Sequence, residues 1–180
     1  MNIELEKCSG TEISLTQCLF LRTLFEELTR NYNMPEGSDI DTIKWFIKNG
    51  NKSNSLRNEY KRALYVSEEN ERTIKAAKYL MEGEISELGK LLYSSHQGLR
   101  DLYKVSCKEL DFLVDFTLGL KQVVGARMMG GGFGGCTINL VHENFVQDFL
   151  DKIKIAYSQK FNINLATHLV HIHNGVEILK

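Results

Sequence analysis

Five glycines fall within six consecutive positions, Gly130-Gly131-Gly132-Phe133-Gly134-Gly135, directly ahead of the strand-like run Cys136-Thr137-Ile138-Asn139-Leu140-Val141. A hairpin turn needs positive φ at only one or two positions, so this density points to a backbone left bare for close approach. Successive main-chain N–H groups with no Cβ around them form a concave cradle suited to phosphate oxygens. The segment lacks the Gly-Lys-Ser/Thr ending of a Walker A loop and the following helix of a dinucleotide fingerprint. Two readings of the residues stay open: a ligand-contacting loop, which the glycine density favours, and a tight, close-packed turn.

The other residues with chemical potential read more plainly. His96 shares a helical stripe with Leu92 and Leu99. No nucleophile or carboxylate pair lies near it in sequence, so it reads as a satisfied core or interface histidine rather than a general base. His171 and His173 would share one face of a strand and His168 the other, which does not suit three-point metal coordination; no metal site is expected. Cys8, Cys18, Cys107 and Cys136 have no C-x-x-C spacing and are expected to be reduced. The polar stretch Ser67-Glu68-Glu69-Asn70-Glu71-Arg72 reads as a solvated helix face with a Glu68–Arg72 pair, or else as a face turned toward a cleft.

These residues must be positioned by elements that the periodicity outlines. Ile3 and Leu5 alternate with polar neighbours as in a half-buried strand. Cys18, Leu21, Leu24, Phe25, Leu28 and Tyr32 predict a helix from Ser14 to about Tyr32, and a shorter one from Ser38 or Asp39 buries Ile43, Phe46 and Ile47 before Gly50. Residues 49–54 are the best linker candidate. A long helix is predicted over 55–81 and a second after Glu84, with Ile85, Leu88, Leu92 and Leu99 along its stripe. Ser106 and Glu109 form a capping box opening a helix that buries Leu110, Leu113, Val114 and Leu118 and points Asp111 and Asp115 elsewhere. Strands over 123–128 and 137–141 flank the glycine loop as an antiparallel pair, with Ile138 and Leu140 on one face. A helix over 143–160 buries Val146, Phe149, Leu150, Ile153 and Tyr157, and an Asn174-Gly175 hairpin closes the chain.

Composition excludes several classes. At 180 residues, 43% hydrophobic and 25% charged, the chain has the makings of one well-buried core. With 22 basic and 23 acidic side chains there is no overall drive toward nucleic acid or an anionic membrane, and neither is expected as a partner. The first residues lack the pattern of a secretory signal and no apolar run has transmembrane length, so a cytoplasmic location is expected. The Asn51-Lys52-Ser53 glycosylation pattern is taken as chance.

The frame of the loop, GARMMGGGFGGC, is similar to the third signature motif of the galactokinases, in the GHMP group of small-molecule kinases. Three more blocks stand in the family's order: Arg62–Thr73 (RALYVSEENERT), Ser95–Tyr103 (SHQGLRDLY) and Val105–Asp111 (VSCKELD). The chain resembles the C-terminal domain of these enzymes, over roughly residues 57–141, with residues 1–54 weakly matched and 55–180 as the family-like core of a single domain spanning 1–180. Two positions depart from the family pattern, which usually has Ser at Ala126 and Thr at Met129. Loss of the Thr hydroxyl removes a possible hydrogen bond with a net value of about 0.5–1.5 kcal/mol.

The resemblance implies an α+β fold, an antiparallel sheet with helices packed on it, ferredoxin-like. It implies an ATP-dependent sugar kinase that phosphorylates galactose at C1, with ATP and magnesium as cofactors. Gly130, Gly131, Gly132, Phe133, Gly134 and Gly135 would line the nucleotide and substrate cleft. The family's sugar-binding segment, phosphate loop, catalytic aspartate and magnesium ligands belong to an N-terminal domain that this sequence lacks. Hence no catalytic residue is assigned here, the expected partner is that N-terminal kinase domain, from the same gene or a neighbouring product, and the chain alone is expected to be inactive. An apolar surface left by its absence would favour self-association. The alternatives are a non-catalytic galactokinase-like sensor or interaction module, and a GHMP kinase for another sugar or alcohol.

Overall fold

The computed structural model describes residues 54–170, with side chains from Asn58 onward, and, before them, Asp41, Ile43, Lys44, Trp45 and Lys48. The expected N-terminal strand, the helix over 14–32 and the Asn174-Gly175 hairpin lie outside the described residues. So do His171 and His173. The chain divides into two compact units, one ending at Ser67 and one beginning at Glu68.

Helix α1 (Asn54–Glu82) begins inside the predicted linker and runs one residue past its predicted end. In the first unit Ala63, Leu64 and Tyr65 are consecutive and all buried, so the helix there is enclosed on more than one face. The helix stops at Gly83, whose φ of 74° lets Glu84 N–H reach back to the Tyr79 carbonyl at 2.8 Å.

In the second unit, helix α2 (Ile85–Gly98) continues into a π-helical turn (Leu99–Tyr103), and helix α3 (Lys108–Thr117) follows. Strand β1 (Val123–Met129) pairs antiparallel with β2 (Cys136–Val141), with a bulge between Val123 and Gly125. A 3₁₀ turn (Glu143–Phe145) leads into helix α4 (Val146–Phe161). Helices thus pack on a two-stranded antiparallel sheet, the α+β arrangement expected from the sequence. Leu113, Val123, Phe149, Ile153 and Tyr157 form a core between α3, β1 and α4, flanked by the rings of Phe112, Phe116 and Phe161.

The differences from expectation have local causes. The capping box does not form as drawn. Cys107 occupies the cap position of α3, and the Ser106 hydroxyl donates instead to Asp111 at 2.5 Å. The Glu109 carboxyl lies below its usual range first because of its own backbone N–H and then because of the Cys107 side chain. Leu118, expected in the core, falls just past the end of α3 and is 62% exposed. Ile138 is also exposed; its register partner is the half-buried Arg127, whereas the fully buried residues at this end of β1 are Ala126 and Met128. Residues 167–170, expected to begin a strand, have no regular structure, and His168 is exposed.

Candidate functional site

The glycine loop joins β1 to β2 as a series of bends, and Gly130, Gly131 and Gly135 are exposed while Gly132 and Gly134 are half-buried. Its glycines are required for different reasons. A Cβ on Gly132 would stand 2.1 Å from the Val105 carbonyl oxygen, and its φ of 86° is itself unfavourable for other residues. This position is the close-packed turn of one reading. Gly131 is the opposite case: its φ lies outside the left-handed region and a Cβ there would meet nothing within 4 Å. Neither conformation nor packing within the described chain accounts for glycine at 131.

Phe133 stands between the glycines with φ 59°, a left-handed conformation costing an L-residue roughly 1–2 kcal/mol. Its ring is 77% exposed and gains little from the fold. Its backbone is nevertheless fixed, since Phe133 N–H donates to the Val105 carbonyl at 2.7 Å. Val105 is delivered there by the π turn, where the Leu99 carbonyl accepts from Val105 N–H at 3.1 Å and Lys104 takes φ 63°.

At the root of the loop, Met128 is completely buried, and two side chains satisfy its peptide groups. Met128 N–H donates to His96 Nδ1 at 3.2 Å, and Arg127 Nε donates to the Met128 carbonyl at 3.0 Å. His96 is 2% exposed and fits the expected core histidine. Its Nε2 lies 3.2 Å from Asp111 Oδ1, though not in well-aligned hydrogen-bond geometry. The expectation that Asp111 points away is therefore corrected: the buried imidazole draws this carboxylate inward. Burial pushes the His96 pKa below its ordinary value, and the nearby Asp111 only partly opposes this. Asp115 turns to Arg100, whose Nη1 is 3.0 Å away.

The polar stretch of α1 is more than a solvated face. The expected Glu68–Arg72 pair is present at 3.4 Å. Glu69, however, accepts from Ser95 Oγ at 2.6 Å and from Arg127 Nη1 at 3.1 Å, as well as from Arg72. Arg127 thus ties the base of the loop to α1, and Glu69 carries the link on to Ser95 of α2. Sequence reasoning missed Val105, Ser106 and Glu69 as supports of the loop, because each contact joins residues far apart in the chain and none has a local spacing signal. Among the described residues no group of three His, Cys, Asp or Glu could hold a metal ion, and no helix is long and apolar enough to cross a membrane.

Residues 76–159 match the family model described as GHMP kinases C terminal. Over this segment the chain is similar to the C-terminal domain of the GHMP kinases. The chain is 48% identical over 117 residues to the galactokinase of Thermotoga neapolitana, covering 65% of this chain and 33% of that protein. It is 39% identical over 143 residues to the galactokinase of Bacillus subtilis, covering 79% of this chain and 35% of that protein. A crystal structure of Lactococcus lactis galactokinase complexed with galactose superposes with a TM-score of 0.65 at 26% identity, covering 89% of this chain and 41% of that one. The chain spans about a third of the length of the curated relatives it matches. The matched segment contains the glycine loop and its supports on α2, α3 and β1, together with Glu69's partners Ser95 and Arg127; Glu69 and Arg72 lie just ahead of it.

Proposed function

We propose that Gly130–Gly135 form one wall of a phosphoryl-transfer site that takes ATP and the C1 hydroxyl of galactose, with the proton-transfer groups supplied by a second, N-terminal kinase domain. The observation that carries this reading is Gly131, bare of side chain where neither φ nor a neighbour demands it. A glycine kept without an internal reason is accounted for by something outside the described chain coming close to the backbone. The galactokinase relatives and the galactose-complexed neighbour support the sugar and the nucleotide.

The loop would act by position. Phosphoryl transfer depends mainly on alignment and on stabilising charge as it spreads over the phosphoryl oxygens, and fixed backbone amides contribute to both without titrating. The Val105 strap and the buried Met128 peptide hold the loop before ligand arrives. Magnesium would neutralise phosphate charge when bound; the described residues offer no cluster of three carboxylate, imidazole or thiolate donors to hold it. On this reading the chain alone binds nucleotide weakly and does not turn over.

A second reading, a sugar-responsive module without catalysis, draws support from position 129, where the family's Thr is replaced by a half-exposed methionine beside the loop.

The test is a titration of the isotopically labelled 180-residue chain with ATP and with galactose, followed by backbone amide shifts. The expected result is a set of ATP-dependent shifts centred on 130–135 that is lost in Gly131→Val while the thermal midpoint is unchanged. Shifts that avoid the loop, or that survive in G131V, overturn the phosphate-site reading. Galactose-dependent ATP consumption by the wild-type chain alone would overturn the division of labour between domains.

A further inference from the structure

We propose that His96 is a positioning residue for the glycine loop, holding it through a circuit of polar contacts that leaves the loop at Met128 and returns to it at Phe133.

The circuit can be followed atom by atom. Met128 and Thr137 are partners in the register, yet the Met128 N–H donates to His96 and its C=O accepts from Arg127. Both groups therefore lie on the edge of β1 away from β2. A buried peptide N–H without an acceptor costs about 1–3 kcal/mol, so the imidazole at this edge closes the strand where no neighbouring strand does so among the described residues. Because Nδ1 accepts, the neutral ring carries its proton on Nε2. That N–H faces Asp111 Oδ1 at 3.2 Å, and the same oxygen accepts from Ser106 Oγ at 2.5 Å. Ser106 is bonded directly to Val105, whose carbonyl receives Phe133 N–H at 2.7 Å and lies against Gly132. One side chain thus fixes the residue two before the loop, and through Asp111 and Ser106 it orients the peptide that straps the loop's middle.

The groups facing the imidazole are few. Asp111 and Asp115 approach it from α3, Arg100 from the π turn after α2, and β1 presents the Met128 peptide. Arg127 holds the Met128 carbonyl and is itself held by Glu69 from α1. A ring used only as filler would need an acceptor at Nδ1 no more than at any other atom. The circuit needs that acceptor and, at the far end, a group that engages Asp111.

Amide hydrogen exchange of the 180-residue chain, read by NMR in three variants, tests this. His96→Gln extends the distal atoms and loses the proximal acceptor; His96→Asn does the reverse; Ser106→Ala cuts the circuit near Val105. In H96Q the amide of Met128 should exchange about tenfold faster while Phe133, whose arm of the circuit keeps its distal partner, stays near its wild-type rate, with Ile153 in the core unchanged. In H96N Met128 should stay near its wild-type rate while Phe133 exchanges about tenfold faster. In S106A only Phe133 should accelerate. Unchanged Phe133 exchange in S106A overturns the proposal, even if the histidine variants fail to fold. An equal acceleration at Ile153 also overturns it, because the residues would then be supporting the fold as a whole. The consequence for ligands rests on the phosphate-site reading above, and the two fail separately. If the exchange pattern holds but ATP moves no loop amide, the positioning stands and the ligand assignment falls.

Discussion

A Cβ on Gly89 would stand 2.0 Å from the Val124 carbonyl oxygen, and one on Gly125 would stand 2.5 Å from the Gly89 Cα. Helix α2 and strand β1 therefore meet backbone against backbone. This contact sets the distance from which His96, two turns further along the helix, reaches Met128. Two effects compete in Gly89→Ala. Helix propensity favours alanine by about 1 kcal/mol, while a methyl forced against main-chain atoms costs on the order of 3 kcal/mol. Overpacking wins, and urea unfolding should report a net loss of about 2 kcal/mol. A higher midpoint for G89A would mean that the helix can move away from the strand.

The loop glycines should separate in the same kind of experiment. Gly131→Ala changes stability by no more than about 0.5 kcal/mol, since the methyl meets open space. Gly132→Ala meets the Val105 carbonyl and an unfavourable φ together, and should cost about 2 kcal/mol or more. Chemical denaturation of both variants checks the contrast; equal costs would contradict the assignment of 132 to packing and 131 to an external contact.

Glu69 receives hydrogen bonds from three side chains, of which Ser95 is buried and Arg72 and Arg127 are largely so. Removing the shared acceptor leaves two guanidinium groups without it, so Glu69→Ala should lose about 2 kcal/mol. A double-mutant cycle with Arg127→Ala should give a coupling above about 0.5 kcal/mol. An additive cycle would show that the Glu69–Arg127 contact contributes nothing.

The His96 pKa is depressed in the folded chain, first by burial, so the unfolded chain binds more protons as the pH falls past the ordinary histidine value of 6.5. This stability is fully present above about pH 6.5 and is lost as the pH drops toward the lower folded value. Unfolding free energy measured from pH 7.5 down to 5 should fall, and the fall should flatten in His96→Asn. A wild-type curve that rises on acidification would mean that Asp111 outweighs burial.

Much of this architecture was legible in sequence. The extents of α1 and α4, the β1–β2 pair and the buried faces of α3 and α4 follow from periodicity, because each reports a single face against a common core. The supports of the loop were not legible. The stripe on α2 drew attention to Ile85, which is exposed, while the close contact is made by Gly89, a residue with no side chain to register in any hydrophobic pattern. The Ser106–Glu109 spacing matched a capping box, but Asp111, held beside the buried imidazole of His96, takes the hydroxyl. Local patterns carry no record of such tertiary competition.

Phe133 offers the sharpest test of whether the loop is shaped for the fold or for something outside it. Its left-handed φ costs roughly 1–2 kcal/mol, and a ring that is 77% exposed recovers little of that through packing. Glycine at 133 would remove the strain but would add about 0.5–1 kcal/mol of chain entropy lost on folding. The strain is the larger of the two, so Phe133→Gly should be stabilised by up to about 1 kcal/mol, with the backbone strap to Val105 still possible. If the loop exists to meet a ligand, the same variant should weaken the ATP-dependent amide shifts at 130–135 despite its greater stability. Calorimetric melting and the titration together decide it: a variant that is both less stable and unaltered in its response to ATP would mean that the ring serves the fold alone.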